Sequence, residues 1–279
     1  MKRGARKSEK DDHAVHDAQK PPEIYYENAE YALTLIKGDC IDILNTHFRE
    51  NTFDMIFADP PYFLSNGGIT CHAGKMVFVD KGDWDKSMGV EENHRFNLEW
   101  LKACRRVLKP NGTIWVSGTM HIIYSIGFAL QSLGYKILND IVWYKPNAPP
   151  NLSCRYFTHS TEIVLWAAKS EKSKHHFDYP LMKEMNRGKQ MRNLWEIPPP
   201  SASEKRFGKH ITQKPLELLT RIILASTDEG SLVLDPFCGS SSTGVACALS
   251  GRQYVGVELE EPYLELSRKR LEEVKKFKK

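Results

Sequence analysis

The sequence lacks paired cysteines, long apolar runs and a strong charge of one sign. Its six cysteines are scattered without a Cys-x-x-Cys pair, which argues against a disulfide framework and against a zinc site. The apolar stretch over residues 122–130 is about half of the roughly 18 residues that a membrane-spanning helix needs. We therefore expect a protein without disulfides, without a metal site and without a membrane span.

The first 22 residues are charged and lack the apolar core of a secretory signal. We expect residues 1–22 to form a flexible basic tail and the protein to be cytoplasmic. The chain of 279 residues is 41% hydrophobic, which is ordinary for a globular protein that buries a sizeable core. One main domain over residues 23–279 is the working interpretation.

The net charge of +4 is concentrated in one segment. Residues 170–209 carry nine Lys and Arg against five Asp and Glu, which equals the excess of the whole chain. Clustered cations are typical of a surface that meets a polyanion. A solvated basic face would give the same pattern, so the charge alone does not distinguish the two.

Apolar runs alternate with stretches of helical periodicity along most of the chain, which predicts an α/β sheet with right-handed crossovers. The segment 170–209 interrupts this alternation and is interpreted as an insertion. Strands are predicted at residues 31–37, 54–58, 113–116, 135–144, 161–167, 232–234 and 254–259. Helices are predicted from residue 40, over 91–108 and 122–133, from 215, over 242–249 and from 261.

The sequence Asp59-Pro60-Pro61-Tyr62 ends a predicted buried strand with an unusually rigid polar cluster. An exocyclic amine conjugated with a ring is a poor nucleophile until acceptors hold its hydrogens and favour a pyramidal nitrogen. The Asp59 carboxylate and the Pro60 carbonyl have the chemistry to do so, and Tyr62 could stack on a base withdrawn from a helix. A structural Pro-Pro loop with a hydrogen-bonded aspartate is the alternative.

Asp235 and Glu258 end consecutive predicted strands, at the edge where open α/β sheets bind ligands. The loop after Asp235 contains Gly239 and opens a helix, so backbone can approach a ligand closely there. An acid after the second strand is suited to accept hydrogen bonds from ribose hydroxyls. This pattern indicates a nucleoside site, although a glycine-tolerant turn with a solvated glutamate would also produce it.

These motifs resemble those of the S-adenosylmethionine-dependent DNA amino-methyltransferases, from about residue 31 to residue 271. The resemblance rests on DPPY at 59–62, DPFCGSSSTG at 235–244 and HITQKP at 210–215. Their order resembles the permuted β group, and ADPPYFLSNGG, KGDWDK, NLSCRYFTHSTE and KQMRNLWE resemble the adenine enzymes of DpnII-type systems, which modify GATC. The resemblance implies a Rossmann-like, mostly parallel mixed sheet flanked by helices and circularly permuted, with strand 31–37 beside strand 254–259.

The implied division is a catalytic half over 23–169, a target-recognition insert over 170–209 and a cofactor half over 210–279. Lys214 would approach the methionine carboxylate of the cofactor, Asp39 its adenine and Glu258 its ribose. Ser241 stands where the family more often has glycine. The cofactor contacts implied are Asp39, Cys40, Lys214, Asp235, Pro236, Phe237, Gly239, Ser240, Ser241, Ser242, Thr243 and Glu258.

The implied partner is DNA, contacted through the insert by Arg187, Lys189, Arg192 and Trp195. The loop 63–87 is expected to close over DNA and the flipped base. The resemblance also implies a homodimer and a cognate restriction endonuclease acting on the same site. The predicted activity is methylation of adenine N6 in a restriction-modification system, at a site that the likeness suggests is GATC.

Other activities remain open at this point. N4-cytosine methylation uses the same chemistry, although an aspartate at position 59 favours adenine in the family. An RNA or protein-glutamine methyltransferase has a similar motif but lacks the permuted order and the basic insert. A C5-cytosine enzyme needs a nucleophilic cysteine, usually after a proline, and no cysteine here follows one. A non-catalytic DNA-binding regulator is the remaining alternative, against which the intact Asp59 to Tyr62 cluster argues.

Overall fold

The computed structural model describes residues 21–65, 69–72, 75–78, 85–208 and 212–277. Nearly all of the predicted basic tail lies outside the described residues, as do His210 and Ile211 of the HITQKP motif. Parts of the loop predicted to close over DNA, at 66–68, 73–74 and 79–84, lie outside them as well.

Strands and helices alternate along the chain, as the apolar periodicity predicts. The strands are β1 Glu23–Asn28, β2 Leu33–Lys37, β3 Phe53–Ala58, β4 Ile69–His72, β5 Lys75–Phe78, β6 Leu108–Gly118, β7 Lys136–Tyr144, β8 Thr161–Ala168, β9 Leu194–Glu196, β10 Leu232–Asp235 and β11 Gln253–Glu258. The helices are α1 Cys40–His47, α2 Val90–Val107, α3 Ile123–Ser132, α4 Tyr179–Met185, α5 Leu216–Ser226, α6 Ser242–Leu249 and α7 Glu261–Glu272. Short 3-10 helices cover Ser203–Lys205 and Val274–Phe277.

One large sheet of nine strands organises the described chain, in the order β1-β2-β11-β10-β3-β6-β8-β7-β9. The central strands from β2 to β6 run parallel, whereas β1 and β8 run antiparallel to their neighbours. Strand β2 pairs in parallel with β11, from Leu33 opposite Tyr254 to Lys37 opposite Glu258. The predicted mixed sheet and the predicted place of the N-terminal strand are therefore both confirmed.

Helices cover both faces of the sheet because its central strands are apolar on both faces. In β3, Ile56 and Ala58 pack in the cluster that contains α1, α2 and α3, whereas Met55 and Phe57 pack in the cluster of α5, α6 and α7. Side chains alternate between the faces of a strand, so a continuous apolar run is what a doubly covered strand requires. The result is a helix–sheet–helix sandwich whose strands end at a common edge.

Strand β6 is longer than the predicted strand 113–116, because it begins directly after α2 at Leu108. Its register with β3 shifts between the pairs Phe53–Leu108 and Met55–Thr113. The extra residues on the β6 side accommodate Pro110, which has no backbone N–H for the ladder.

The basic segment 170–209 is more closely integrated than an inserted loop would be. Its strand β9 pairs in parallel with β7, and Asp178 at the start of α4 donates its backbone N–H to the Ala225 carbonyl of α5 at 3.0 Å. Trp195 and Ile197 are buried in the core. None of the helices in the described part of the chain has the length and apolarity to cross a membrane.

Candidate active site

The Asp59 to Tyr62 loop begins where β3 ends at the carboxyl edge of the sheet. The strand is buried over its last four residues, so its direction is fixed by packing on both faces. Pro60 and Pro61 then prevent the strand from continuing, because neither can donate to the ladder. The loop is thereby held at one place on the edge, with Asp59 half-buried and Tyr62 buried.

Both carboxylate oxygens of Asp59 have a partner within the protein. Oδ1 accepts a hydrogen bond from the Tyr62 hydroxyl at 2.8 Å, and Oδ2 pairs with the Lys214 ammonium at 2.5 Å. Lys214 is 155 residues away in the chain and is almost fully buried. The resemblance implies that this lysine approaches the cofactor carboxylate, and the structure places its ammonium on Asp59.

A second carboxylate, Glu162 at the start of β8, completes this group. Its Oε2 lies 3.2 Å from the Tyr62 hydroxyl and 3.7 Å from the Lys214 ammonium. Its Oε1 pairs with the Lys145 ammonium. Two carboxylates and two ammonium groups therefore form a buried cluster of balanced charge, which offsets the large cost of burying each ion alone.

Burial and the attraction between opposite charges shift the pKa values of these groups in opposite directions. Burial raises the pKa of Asp59, and Glu162 raises it further, although the Lys214 ammonium opposes both effects. Burial alone would lower the pKa of Lys214, but the two carboxylates outweigh it and raise that pKa. Burial alone would raise the pKa of Glu162, but Lys214 and Lys145 lower it. The lysine therefore stays charged.

Tyr62 remains a neutral hydrogen-bond donor in this environment. Burial raises the pKa of its hydroxyl well above the usual value, and the neighbouring carboxylates Asp59 and Glu162 raise it further. Its hydroxyl oxygen also lies 3.4 Å from the Ser117 hydroxyl at the end of β6. The phenol is thus fixed at its polar end by three strands of the sheet.

The backbone after Tyr62 wraps around the buried carboxylate of Asp85. The N–H groups of Tyr62 and Phe63 donate to Oδ1 at 2.8 Å each, and the Leu64 N–H and the Ser65 hydroxyl donate to Oδ2 at 3.1 and 2.8 Å. Phe63 has a φ of 57°, in the left-handed region that non-glycine residues rarely adopt. Asp85 therefore stabilises a strained turn next to the catalytic loop.

A cavity lies along the carboxyl edge and has the Asp59 to Tyr62 loop as one wall. Asp39, Asp235 and Glu258 line the same cavity with their loops, and Phe96, Phe237 and Tyr263 add aromatic surface. Of the predicted cofactor residues it is lined by Asp39, Cys40, Lys214, Asp235, Pro236, Phe237, Gly239, Ser240, Ser242, Thr243 and Glu258. The structure thus gathers eleven of the twelve predicted positions around one cavity.

The three acids of the cavity are held in different ways. Asp39 caps α1 by accepting from the Ile41 and Asp42 N–H groups through Oδ1. Asp235 accepts from the Thr243 hydroxyl at 2.6 Å and from the Phe237 N–H at 3.2 Å. Burial raises the pKa of Asp235 to about 7.

The carboxylate of Glu258 joins two loops. Oε2 accepts from the Gly239 N–H at 2.8 Å, and Oε1 accepts from the N–H groups of Leu259 and Glu260 at 3.0 and 2.9 Å. Burial nevertheless raises the pKa of Glu258. Each carboxylate oxygen can accept more than one hydrogen bond, so these contacts leave capacity for ligand hydroxyls.

Ser241 is the exception among the predicted cofactor residues. It is fully buried beneath the loop, with its hydroxyl 3.3 Å from the Tyr254 hydroxyl, and it does not line the cavity. Its φ of 49° and ψ of 40° lie in the left-handed region, which explains why glycine suits this position. Ser241 therefore shapes the backbone of the loop, and its predicted contact with the cofactor stays a prediction.

Side chains of helix α7 donate hydrogen bonds to the same loop. The buried Arg270 guanidinium donates to the Ser240 carbonyl and to the hydroxyls of Ser240 and Ser242, at 2.5, 2.8 and 2.9 Å. The Ser267 hydroxyl donates to the Gly239 carbonyl at 2.6 Å. The loop is thus shaped before any ligand binds, which reduces the entropy lost on binding.

The cysteines near the cavity are not activated. Burial raises the pKa of both Cys40 and Cys238 well above the usual value. A nucleophilic cysteine needs a lowered pKa, because the thiolate is the reactive form. This agrees with a transfer that forms no covalent intermediate on a cysteine.

Of the four predicted DNA contacts, one is buried and three are exposed. Trp195 is 5% exposed and its indole packs against Trp115, so it belongs to the core and cannot contact DNA in this structure. Arg187, Lys189 and Arg192 are exposed. They precede β9, whose three residues pair with the last three residues of β7.

Sequence reasoning missed Asp85, Glu162 and Arg270. Asp85 lies within KGDWDK and Glu162 within NLSCRYFTHSTE, two stretches that carry the family resemblance, so that likeness was the available signal. Arg270 lies in a basic helix end where nothing distinguishes it from its solvated neighbours. All three act on residues distant in sequence.

The comparisons with known proteins agree with this geometry. A family model described as DNA methylase matches residues 53–269, which include the Asp59 to Tyr62 loop and the loop after Asp235. The chain belongs to the DNA methylase family. It is a DNA methyltransferase, as the motifs predict.

Curated relatives of the methylase match most of its length. It is 54% identical over 241 residues to the Type II methyltransferase M2.DpnII of Streptococcus pneumoniae, covering 86% of this chain and 90% of that protein. It is 55% identical over 248 residues to M2.LlaDCHI of Lactococcus lactis subsp. cremoris, covering 88% and 91%. It is 50% identical over 250 residues to M2.MboI of Moraxella bovis, covering 90% and 91%.

Solved structures confirm the predicted Rossmann-like methyltransferase fold. The M1.HpyAVI-SAM complex is 28% identical to the methylase, with a TM-score of 0.64, and the match covers 86% of this chain and 98% of that one. The cytosine-N4-specific PvuII DNA methyltransferase is 18% identical with a TM-score of 0.68, covering 91% and 94%, which shows a common fold alone.

Proposed function

We propose that the methylase transfers a methyl group from S-adenosylmethionine to N6 of an adenine flipped out of DNA, as the modification enzyme of a restriction-modification system. The relatives at 50–55% identity are Type II methyltransferases. The M1.HpyAVI structure was determined with SAM. S-adenosylmethionine is the cofactor, as the sequence predicts.

The proposal rests on a single cavity that the predicted catalytic residues and the predicted cofactor residues line together. Asp59 and Tyr62 line the same cavity as Asp235 and Glu258. A group that accepts a methyl can therefore lie beside Asp59 while the donor lies beside Asp235 and Glu258 in the same cavity. Proximity of this kind is a large part of the rate advantage of any group transfer.

The cavity suits S-adenosylmethionine by its chemistry. Asp39 and Glu258 offer acceptors for the hydroxyl and amine groups of a nucleoside, and Phe237 and Phe96 offer apolar surface for its base. Ser240, Ser242 and Thr243, at the start of α6, line the same space. When bound there, the cofactor supplies a methyl group activated by its sulfonium.

The residues of the chain then prepare the attacking nitrogen. Both oxygens of Asp59 can accept a further hydrogen bond beside those from Tyr62 and Lys214, and the Pro60 carbonyl can accept another. Acceptors on the two amine hydrogens free the nitrogen lone pair from its ring for in-line attack. Asp59 acts as an acceptor of fixed position, and after transfer its carboxylate takes the proton that the methylated amine releases and passes it to solvent.

Incubating the purified methylase with DNA and tritiated S-adenosylmethionine, followed by nucleoside analysis, tests the proposal. We expect N6-methyladenine. N4-methylcytosine would instead identify the alternative activity, and no methylated nucleoside would favour the DNA-binding regulator. Asp59→Ala should reduce turnover on the order of 100-fold or more while cofactor binding persists. Asp228→Asn, an exposed aspartate, is the matched control.

The recognition site is proposed to be GATC, from the resemblance to the DpnII-type enzymes. Methylation-sensitive sequencing of DNA from an expressing host tests this, since modified positions would share that tetranucleotide. A different shared sequence would overturn it. Arg187, Lys189 and Arg192 are kept as phosphate-contact candidates, and substituting them together should weaken DNA binding without changing the site.

A homodimer, a cognate endonuclease and a cytoplasmic location are proposals from the resemblance alone. Light scattering at several concentrations tests the dimer. An endonuclease acting on the same site would fail to cut DNA that the methylase has modified, which tests that partnership directly.

A further inference from the structure

The loop between β7 and β8, residues 145–160, rises from the catalytic edge. The Lys145 N–H donates to the Ser160 carbonyl at 2.8 Å, which closes the base of the loop. The Lys145 side chain pairs with Glu162, and Glu162 lies 3.2 Å from the Tyr62 hydroxyl. Both ends of the loop are therefore attached to the catalytic cluster.

Asn151 gives this loop a defined shape. Its side-chain amide donates to the Tyr156 carbonyl at 2.6 Å, and its side-chain oxygen accepts from the Ser153 N–H and hydroxyl at 3.0 and 2.8 Å. Its backbone N–H also donates to the Thr158 hydroxyl at 3.4 Å. Side chains on the outside of this loop are thus presented by an organised backbone.

The outside of the loop is apolar and cationic. Leu152, Tyr156 and Phe157 are 46%, 62% and 96% exposed. Arg155 is exposed between them, and residues 145–160 contain no Asp or Glu. Apolar side chains gathered on a surface usually mark an interaction site, and the uniformly non-acidic loop complements a polyanion.

We propose that residues 151–159 receive the DNA helix and that Phe157 fills the space left in the helix by the flipped target base. This rests on the proposed base-flipping function. Withdrawing a base costs stacking energy, and apolar side chains inserted between bases offset part of that cost. Phe157 is five residues from Glu162, so their Cα atoms are at most about 17 Å apart.

This places DNA contact on a different element from the basic segment 170–209. Arg187, Lys189 and Arg192 precede β9, whereas the loop continues directly from the carboxyl end of β7. Within the described part of the chain, this loop is therefore an element that a duplex would meet when its target base approaches Asp59.

The test measures base flipping with 2-aminopurine in place of the target adenine. Fluorescence should rise when wild-type methylase binds, and Phe157→Ala should reduce that rise and lower kcat/KM on duplex DNA at least 10-fold. Phe157→Trp should retain both. Ile24→Ala removes an exposed apolar side chain from β1 at the other end of the sheet and should change neither.

A duplex whose target adenine lies opposite an abasic site separates insertion from general damage. Its base is already unpaired, so the Phe157→Ala defect should shrink to within about 2-fold. Equal kcat/KM for Phe157→Ala and wild type on the paired duplex would overturn the proposal, and so would an equal defect on both substrates. Wild-type methylase that binds DNA without any fluorescence rise would instead overturn the proposed base flipping.

The contribution of Arg155 to DNA binding is tested separately. Arg155→Gln should weaken DNA binding. It should also make the slope of log K against log salt less steep by about one unit, the value for one phosphate contact. An unchanged slope would exclude Arg155 from the DNA contact.

Discussion

Around the hydroxyl of Tyr62 lie the carboxylates of Asp59 and Glu162 and the ammonium of Lys214. This environment fixes the polar end of the ring, and Tyr62 lines the cavity beside Asp59. An aromatic ring held at one end offers stacking surface at little entropic cost. The proposed contact of Tyr62 with the flipped base is consistent with this arrangement.

Glu162→Gln should move the acidic limb of the kcat profile to lower pH. Turnover requires ionised Asp59, and the negative charge of Glu162 raises the pKa of Asp59. Removing that charge therefore lowers the pKa of Asp59, so Asp59 stays ionised further into acid. The pH dependence of single-turnover methylation measures the shift, and cofactor affinity should be unchanged because Glu162 does not line the cofactor cavity.

Glu162→Asp keeps the charge and is the matched control, with the acidic limb close to that of wild type. If the single Gln variant does not fold, Glu162→Gln with Lys145→Gln restores the charge balance and should show the same shift. An acidic limb that does not move in either Gln variant would contradict this account of Asp59.

Asp85→Ala should destabilise the protein and lower its activity. The carboxylate accepts from the N–H groups of Tyr62, Phe63 and Leu64, and each buried donor that loses its acceptor costs about 1–3 kcal/mol. Asp85→Asn should lose less, because its amide oxygen still accepts. Thermal unfolding and kcat measure the two effects; a melting temperature equal to that of an Asp228→Ala control would rule out the anchoring role.

At the start of α6, Ser241 occupies a left-handed conformation before the helix begins. Ser241→Gly should be more stable than Ser241→Ala by about 1 kcal/mol, because only the alanine retains the strain of that conformation. Both lose the contact with the Tyr254 hydroxyl, so that loss cancels. Chemical denaturation gives the difference, and alanine being the more stable would contradict the strain.

Strands and helices whose apolar pattern is regular could be predicted from the sequence. Strand β3 and the Asp59 loop follow from an apolar run ended by two prolines, and β10 and α6 follow from a similar change. The ion pair of Lys214 with Asp59 could not be predicted, because it joins positions 155 residues apart. Local patterns carry secondary structure, whereas such pairs depend on where helices and strands meet.

At the scale of the whole molecule, contacts between distant segments again limit what could be predicted from the sequence. The parallel pairing of β2 with β11 follows from the family order of motifs, but the place of β9 does not. The many cations of the segment 170–209 make its sequence resemble that of a solvated insertion. Its buried residues Trp195 and Ile197 therefore could not be recognised from the sequence. Charge averaged over a segment describes its surface and not the few side chains that fix it to the core.

Trp195→Ala should therefore destabilise the whole domain by about 3–5 kcal/mol, since it leaves a cavity beside Trp115. Arg192→Ala, three residues earlier and exposed, should stay within about 0.5 kcal/mol of wild type. Urea unfolding should follow one transition in each case. A separate early transition in Trp195→Ala, with the main one unchanged, would show that the segment unfolds on its own.

The 3-10 helix Val274–Phe277 lies near the turn that follows β1, since Lys275 pairs with Glu30 at 3.0 Å. The sheet places β1 seven strands from β7, or roughly 34 Å at the usual strand spacing. A group attached to the surface of β1 or of the Val274–Phe277 helix would therefore lie on the flank remote from the loop of Phe157. A reporter or a second DNA-binding module could be attached there without obstructing the duplex.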